Sequence, residues 1–348
     1  MDQVLPRKQL SPSLGKTFLL RLPPHYCKRL YPMELVHEAL KGSERAIARL
    51  ITIVENELPG WMDIMRELYP HTGTAYVVGI TGPTGSGKST LVDRVALALC
   101  TKGFSVGIVA IDPSSPFTGG ALLGDRIRMR EVVSQEKVFI RSLGTRGGLG
   151  GIARATSDVI KILDASGKEF ILIETIGIGQ DEVEIVQVAD TSVVVSVPGL
   201  GDDIQTIKAG IMEIGDIFVV NKADREGADH VVTMIKAMLD LNPLSQSWEQ
   251  PVIKTVATEN LGVDELLEYM MQHRQHLIDS SLLTAKRKDR IGREIKKLLE
   301  HRISRYVHDQ MDKIDFLNDT VEQISHHKED LYSCVDRLLE VLEKKEKL

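Results

Sequence analysis

Residues 82–89 read Gly-Pro-Thr-Gly-Ser-Gly-Lys-Ser, directly after the apolar run 75–80 (AYVVGI) and directly before a segment, 90–99, with helical periodicity. GxxxxGK[ST] between a strand and a helix restricts the local fold to a loop that turns its backbone N–H groups inward. The glycines let those groups converge on phosphate oxygens, and the helix N-terminus adds positive potential. Lys88 is predicted to reach the β- and γ-phosphates, and the Ser89 hydroxyl to ligate Mg²⁺. Gly82, Gly85, Ser86, Gly87 and Thr90 complete the predicted cradle.

Six further strand-like runs follow: 105–111, 137–141, 169–174, 191–197, 216–220 and 251–255. Most are nearly continuous in apolar residues and alternate with helical stretches, as expected of a parallel sheet covered on both faces. The fold expected is α/β, a mostly parallel-sheet domain over 75–279. A helical segment, 33–74, precedes it and a charged helical arm, 280–348, follows. Leu331, Cys334, Val335, Leu338 and Leu342 draw an apolar stripe along the arm, which calls for a partner.

The formal net charge of −6 and 5% aromatic content argue against a dedicated nucleic-acid binder. The longest apolar runs fall short of the ~20 residues of a membrane span, so neither nucleic acid nor membrane is an expected partner. Cys27, Cys100 and Cys334 are too far apart for a disulfide framework or a zinc site, which favours a reducing compartment and a cytoplasmic location. Residues 1–32 carry Asp2 against Arg7, Lys8, Lys16, Arg21, Lys28 and Arg29. Four prolines among them disfavour the amphipathic helix of a transit segment, so a flexible basic tail is preferred to a mitochondrial matrix address.

The strand at 216–220 ends in Asn221-Lys222-Ala223-Asp224. An aspartate there accepts from both N1–H and the exocyclic amine of guanine, which adenine does not offer in that arrangement. Lys222 is expected to lay its stem over the base and Asn221 to hold the loop and the purine edge. The next strand ends in Thr255-Val-Ala-Thr, which presents the Ala257 amide to guanine O6. The expected ligands are therefore GTP and GDP. Glu174, ending strand 169–174, and Asp112, ending strand 105–111, are placed as carboxylates for the metal or its water at the sheet edge where open α/β folds bind ligands. Gly177 follows Glu174 at ExxG spacing and offers its amide to the γ-phosphate. Gln180 lies three residues beyond Gly177, the wrong spacing for a water-orienting glutamine.

This combination resembles the metallochaperone-like class of P-loop GTPases, and within it the MeaB/ArgK family, GTPase chaperones of adenosylcobalamin-dependent acyl-CoA mutases. The segments that carry the resemblance are GPTGSGKSTL (82–91), DPSSPFTGGALLGDRIRM (112–129), GTRGGLGG (144–151), ETIGIGQ (174–180), PGLGDDIQTIKAGIMEI (198–214) and NKAD (221–224). The resemblance implies a GTPase that is slow alone and activated by its mutase, whose nucleotide state gates adenosylcobalamin loading and protects or reactivates that enzyme. It also implies a homodimer through the C-terminal arm and brings an adenosyltransferase into consideration as a further partner. Residues 112–129 and 175–190 become switch segments, and 198–210, with Asp202, Asp203, Gln205 and Lys208, a loop read by the partner. Lys208 is the candidate cation for activated hydrolysis; Arg126, Arg128, Arg146 and Arg154 are unranked candidates for phosphate or partner contacts. A nickel-inserting GTPase is the alternative among related proteins, but no cysteine stands at ligand spacing with a second cysteine or, outside the tail, with a histidine. A transport-associated kinase is a second alternative, without a recognisable second-substrate site. A nucleotide-dependent binding module with negligible hydrolysis is a third.

Overall fold

The computed structural model of the protein describes residues 33–112, 132, 135, 137–144, 151–175, 187–199, 215–241, 247–311 and 317–345. The chain divides into two compact units, Met1–Arg287 and Lys288–Leu348.

The first unit is built on seven parallel strands, β1 (Tyr76–Thr81), β2 (Val106–Asp112), β3 (Val138–Gly144), β4 (Phe170–Glu174), β5 (Thr191–Ser196), β6 (Ile217–Asn221) and β7 (Val252–Thr255). Their order is β3-β2-β4-β1-β5-β6-β7. The seven apolar runs thus correspond to the seven strands. β3 extends beyond 137–141 because its ladder with β2 continues to the pair Asp112↔Gly144. β1 lies between β4 and β5, at the point where successive strands stop being added on one side and start on the other, so the loop after β1 opens at the switch point of the sheet.

Alternate side chains of each strand enter different cores. On one face, Val77, Val109, Ile111, Ile171 and Ile173 pack with helices α1 (33–40), α2 (Glu44–Glu55), α3 (Trp61–Leu68) and α5 (Gly151–Ala165). On the other, Tyr76, Val78, Ile80, Leu172, Val193 and Val219 pack with α4 (Lys88–Thr101) and α7 (Val263–Asp279). Helix α6 (Ala228–Asp240) covers Val194, Phe218 and Val220. The segment before β1 is helical, as its spacing predicts. Ser43 caps α2 by accepting from the Ala46 amide, and Gly60, at φ +91°, is the break before α3. Burial of Ile47, Leu50, Ile51 and Val54 fastens α2 to this core and contributes about 2 kcal/mol for each side chain.

The amino edge of the sheet is held by carboxylates. Asp164 accepts from the amides of Gly73, Thr74 and Ala75, the chain entering β1. Asp190, fully buried, accepts from the Val77 amide and from Arg287 at 2.8 Å. Arg287 also donates to the carbonyls of Gly73 and Ala75. Without Arg287, Asp190 would be a buried charge lacking its counterion. Asp216 accepts from the Ser192 amide at 2.8 Å and lies 3.5 Å from His273 Nε2. His273 Nδ1 is 2.7 Å from the Thr191 hydroxyl, which in turn bonds the Tyr76 hydroxyl.

Helix α8 (Leu282–Met311) crosses from the first unit into the second. The second unit continues with α9 (Leu317–Ser325) and α10 (Leu331–Lys345). Its α8 portion exposes Ile291, Ile295, Leu298, Leu299, Ile303 and Tyr306, and α10 exposes Leu331, Val335 and Leu339. Among the described residues no helix is long and apolar enough to cross a membrane.

Burial pushes the His273 pKa down to about 4, and nearby Asp216 only partly offsets this. The unfolded chain takes up a proton near 6.5, whereas folded His273 stays neutral until about 4. The stabilisation from a neutral His273 is therefore complete above pH 6.5 and is lost as pH falls from 6.5 to 4, by about 3 kcal/mol in all. Urea unfolding at pH 7 and pH 4.5 should show this loss in the wild type and a smaller one in His273→Gln. Equal losses in the two proteins would refute the assignment.

Candidate functional site

The carboxyl edge of the sheet brings together the ends of β1, β4, β6 and β7. From Thr81 the chain enters the loop 82–87, in which Gly82, Gly85 and Gly87 have φ of +143°, +79° and +87°. Two of these positions also exclude a side chain sterically. A Cβ at Gly82 would strike the Val195 carbonyl oxygen, and one at Gly87 the Asn221 side-chain amide. Gly87 is the N-cap of α4 and supplies no side-chain cap, so the first amides of that helix are left to the loop. Lys88 begins α4; it is buried and its Nζ donates to the carbonyls of Gly82 and Pro83, both at 2.8 Å. The ammonium thus lies against the loop that the sequence assigns to phosphate.

Ser89, the next residue, donates its hydroxyl to Glu174 Oε1 at 2.5 Å. Glu174 is the last residue of β4, paired in register with Ile80 of β1 and with Ala110 of β2. Two hard oxygen donors therefore meet beside the Lys88 loop, a donor set that suits Mg²⁺. Asp112 ends β2, whose register with β4 carries it to the same edge. Thr90 follows in the first turn of α4.

Asn221 is the hub of the site's other half. It is buried at the end of β6, where its Nδ2 donates to the Ser86 carbonyl at 2.8 Å. Its Oδ1 accepts from the Thr255 hydroxyl and from the Ala257 amide, both at 3.1 Å. One side chain thereby ties the phosphate loop to the turn after β7. The Ala257 amide, expected at guanine O6, is engaged by Asn221 in this arrangement. Lys222 has φ +56°, an uncommon conformation outside glycine, and its Nζ donates to the Gly85 carbonyl at 2.7 Å. Its stem accordingly runs toward the phosphate loop. Asp224 is exposed two residues further on, and its carboxylate has no partner among the described residues.

Gly177, Gln180, Lys208, Asp202, Asp203, Gln205, Arg126, Arg128 and Arg146 lie outside the described residues, as does the side chain of Arg154. Among the described residues no group of three or more His, Cys, Asp or Glu side chains could hold a metal, so the nickel-type ligand cluster that the alternative requires is not found there. Sequence reasoning missed the Thr81 and Thr175 hydroxyls, 3.1 Å apart at the ends of β1 and β4. A β-branched residue at the end of an apolar strand carries no signal beyond strand propensity.

Asn221→Ala should strand the Ser86 carbonyl, the Thr255 hydroxyl and the Ala257 amide, and lower unfolding free energy by roughly 3 kcal/mol. Urea denaturation checks this; a loss below about 1 kcal/mol would mean the hub does not hold the two loops together.

Comparison with known proteins identifies the family. The profile of the family described as methylmalonyl-CoA mutase-associated GTPase MeaB matches residues 47–312. A protein of Pyrococcus abyssi is 50% identical over 309 residues, spanning 88% of this chain and 95% of its own. The GTPase ArgK of Escherichia coli is 31% identical over 278 residues, 78% of this chain and 84% of that protein. The crystal structure of an LAO/AO transport system kinase, 22% identical, covers 90% of this chain and 97% of its own with a TM-score of 0.67, a likeness of fold. The match over 47–312 takes in both the Lys88 loop and the Asn221 hub, and the chain belongs to the MeaB family of methylmalonyl-CoA mutase-associated GTPases.

Proposed function

We propose that the chain hydrolyses GTP slowly by itself, and that its nucleotide state governs adenosylcobalamin loading on, and protection or reactivation of, a B12-dependent acyl-CoA mutase. The observation that carries this reading is the Asn221 hub, which joins a phosphate loop and a base-reading loop in a chain of a mutase-associated family. A relative in Mus musculus, named methylmalonic aciduria type A homolog, mitochondrial, is 32% identical over 269 residues, 71% of this chain and 64% of that protein, and supports the same client chemistry.

Each residue has a part in that chemistry. Lys88 moves its ammonium from the Gly82 and Pro83 carbonyls to the β- and γ-phosphates, while the amides of 85–89 hold their oxygens. Asp224 accepts from the two N–H groups of guanine, and the Lys222 stem covers the base. Ser89, Glu174 and Asp112 would hold Mg²⁺, which when bound sets positive charge against the phosphate oxygens. Gly177 gives its amide to the γ-phosphate. Phosphoryl transfer depends mainly on positioning and charge, so a site that lacks one cation until a partner arrives turns over slowly. Lys208 is that cation in this reading.

A homodimer through the second unit completes the proposal. Ile295, Leu299 and Ile303 are each more than half exposed and, at four-residue spacing, share one face of the helix, an apolar stripe that a second copy would cover.

Two experiments test the proposal. Asp224→Asn should weaken GTP binding and favour xanthosine triphosphate, whose 2-oxo group accepts where guanine donates, by more than about 2 kcal/mol in relative affinity. Unchanged GTP selectivity would refute the base contact. GTP turnover should rise when the chain is mixed with a cobalamin-loaded acyl-CoA mutase, and Lys208→Ala should lose that rise while keeping its basal rate. If no acyl-CoA mutase changes the rate or the nucleotide affinity, the chaperone reading fails.

A further inference from the structure

The hydroxyls of Thr81 and Thr175 are 3.1 Å apart, and each residue is only 1% exposed. Thr81 is the last residue of β1, immediately before Gly82. Thr175 immediately follows Glu174, and its amide donates to the Ile80 carbonyl at 3.2 Å. With the Ser89–Glu174 bond these contacts close a ring. It runs from Thr81 through the phosphate loop to Ser89, across to Glu174, on to Thr175 and back to Thr81.

Packing does not require the two hydroxyls. Valine has nearly the shape of threonine, and the neighbouring strand positions are filled by Ile80, Ile173 and Val194. Burying two hydroxyls costs desolvation that their mutual bond only offsets, so replacing both by methyl groups is close to neutral for stability. The strand ladder already sets the register Ile80↔Glu174. What the hydroxyl pair adds is a fixed spacing between the entrance of the phosphate loop and the carboxylate that faces Ser89.

We propose that Thr81 and Thr175 form a positioning pair that holds Glu174 against Ser89, and so sets the affinity of the nucleotide site for Mg²⁺. The inference rests on the nucleotide reading above. Neither threonine is a catalytic residue; each acts through Glu174. The two hydroxyls bond each other and reach Glu174 only through the backbone, so their loss should cost metal affinity at the low end of the roughly 10- to 100-fold seen when groups that orient a metal-holding residue are removed.

The test follows release of a fluorescent GDP from the full chain across a Mg²⁺ series, with thermal unfolding measured without Mg²⁺. The proteins compared are the wild type, Thr175→Ser, Thr175→Val and the double variant Thr81→Val/Thr175→Val. The double variant should melt near the wild type, since it leaves no hydroxyl stranded, and should release GDP at the wild-type rate without Mg²⁺. The Mg²⁺ concentration that half-maximally slows release should rise about tenfold in it and in Thr175→Val, and stay near the wild-type value in Thr175→Ser. A double variant with wild-type Mg²⁺ dependence overturns the proposal. So does a Thr175→Ser shift as large as that of Thr175→Val, which would assign the effect to shape. Failure of the wild type itself to bind GDP would strike the nucleotide reading instead, and is distinguishable because no variant is needed to see it.

Discussion

The carbonyl oxygen of Val195 and the side chain of Asn221 occupy the space that a Cβ would need at Gly82 and at Gly87. This steric exclusion lets the loop after β1 lie directly against the ends of β5 and β6, and the remaining contacts depend on that approach. Only at this range does the Asn221 amide reach the Ser86 carbonyl and Lys222 reach the Gly85 carbonyl. The same approach directs α4 away from the loop with Ser89 turned to Glu174. Positive φ at three glycines and a close approach at two of them thus precede any catalytic argument.

The other edge of the sheet follows a different physical logic. There the strand entrances are pinned by Asp164, Asp190 and Asp216, each of which accepts from at least one backbone amide. Asp190 is tolerated in a fully buried position because it receives both an amide and a guanidinium. His273 is held neutral within the same layer, between Thr191 and Asp216. The sheet therefore separates two kinds of polar chemistry, structural carboxylates at one edge and the nucleotide machinery at the other.

Much of this was legible in the sequence, because the signals were local. Seven apolar runs became seven strands, and the glycines of 82–87 and the NKAD stretch fall at strand ends that share one edge. Strand order was not legible, since nothing local makes β4 rather than β2 the neighbour of β1. The Ala257 amide shows a subtler limit. Its position in the turn was foreseeable, but its engagement by Asn221 depends on two strand ends meeting in space. The Thr81–Thr175 pair and the layer around His273 were invisible for the same reason, each joining residues far apart in the chain whose types suit an ordinary strand or helix.

Arg287 donates to the carbonyls of Gly73 and Ala75, so the last residue of the first unit touches the stretch that leads into its first strand. The approach to β1 and the last residue of the first unit consequently meet at one place, on the edge away from the phosphate loop. The start of the sheet and the end of the unit therefore stand or fall together: cutting the chain before Arg287 would release the approach to β1 and leave Asp190 without its guanidinium.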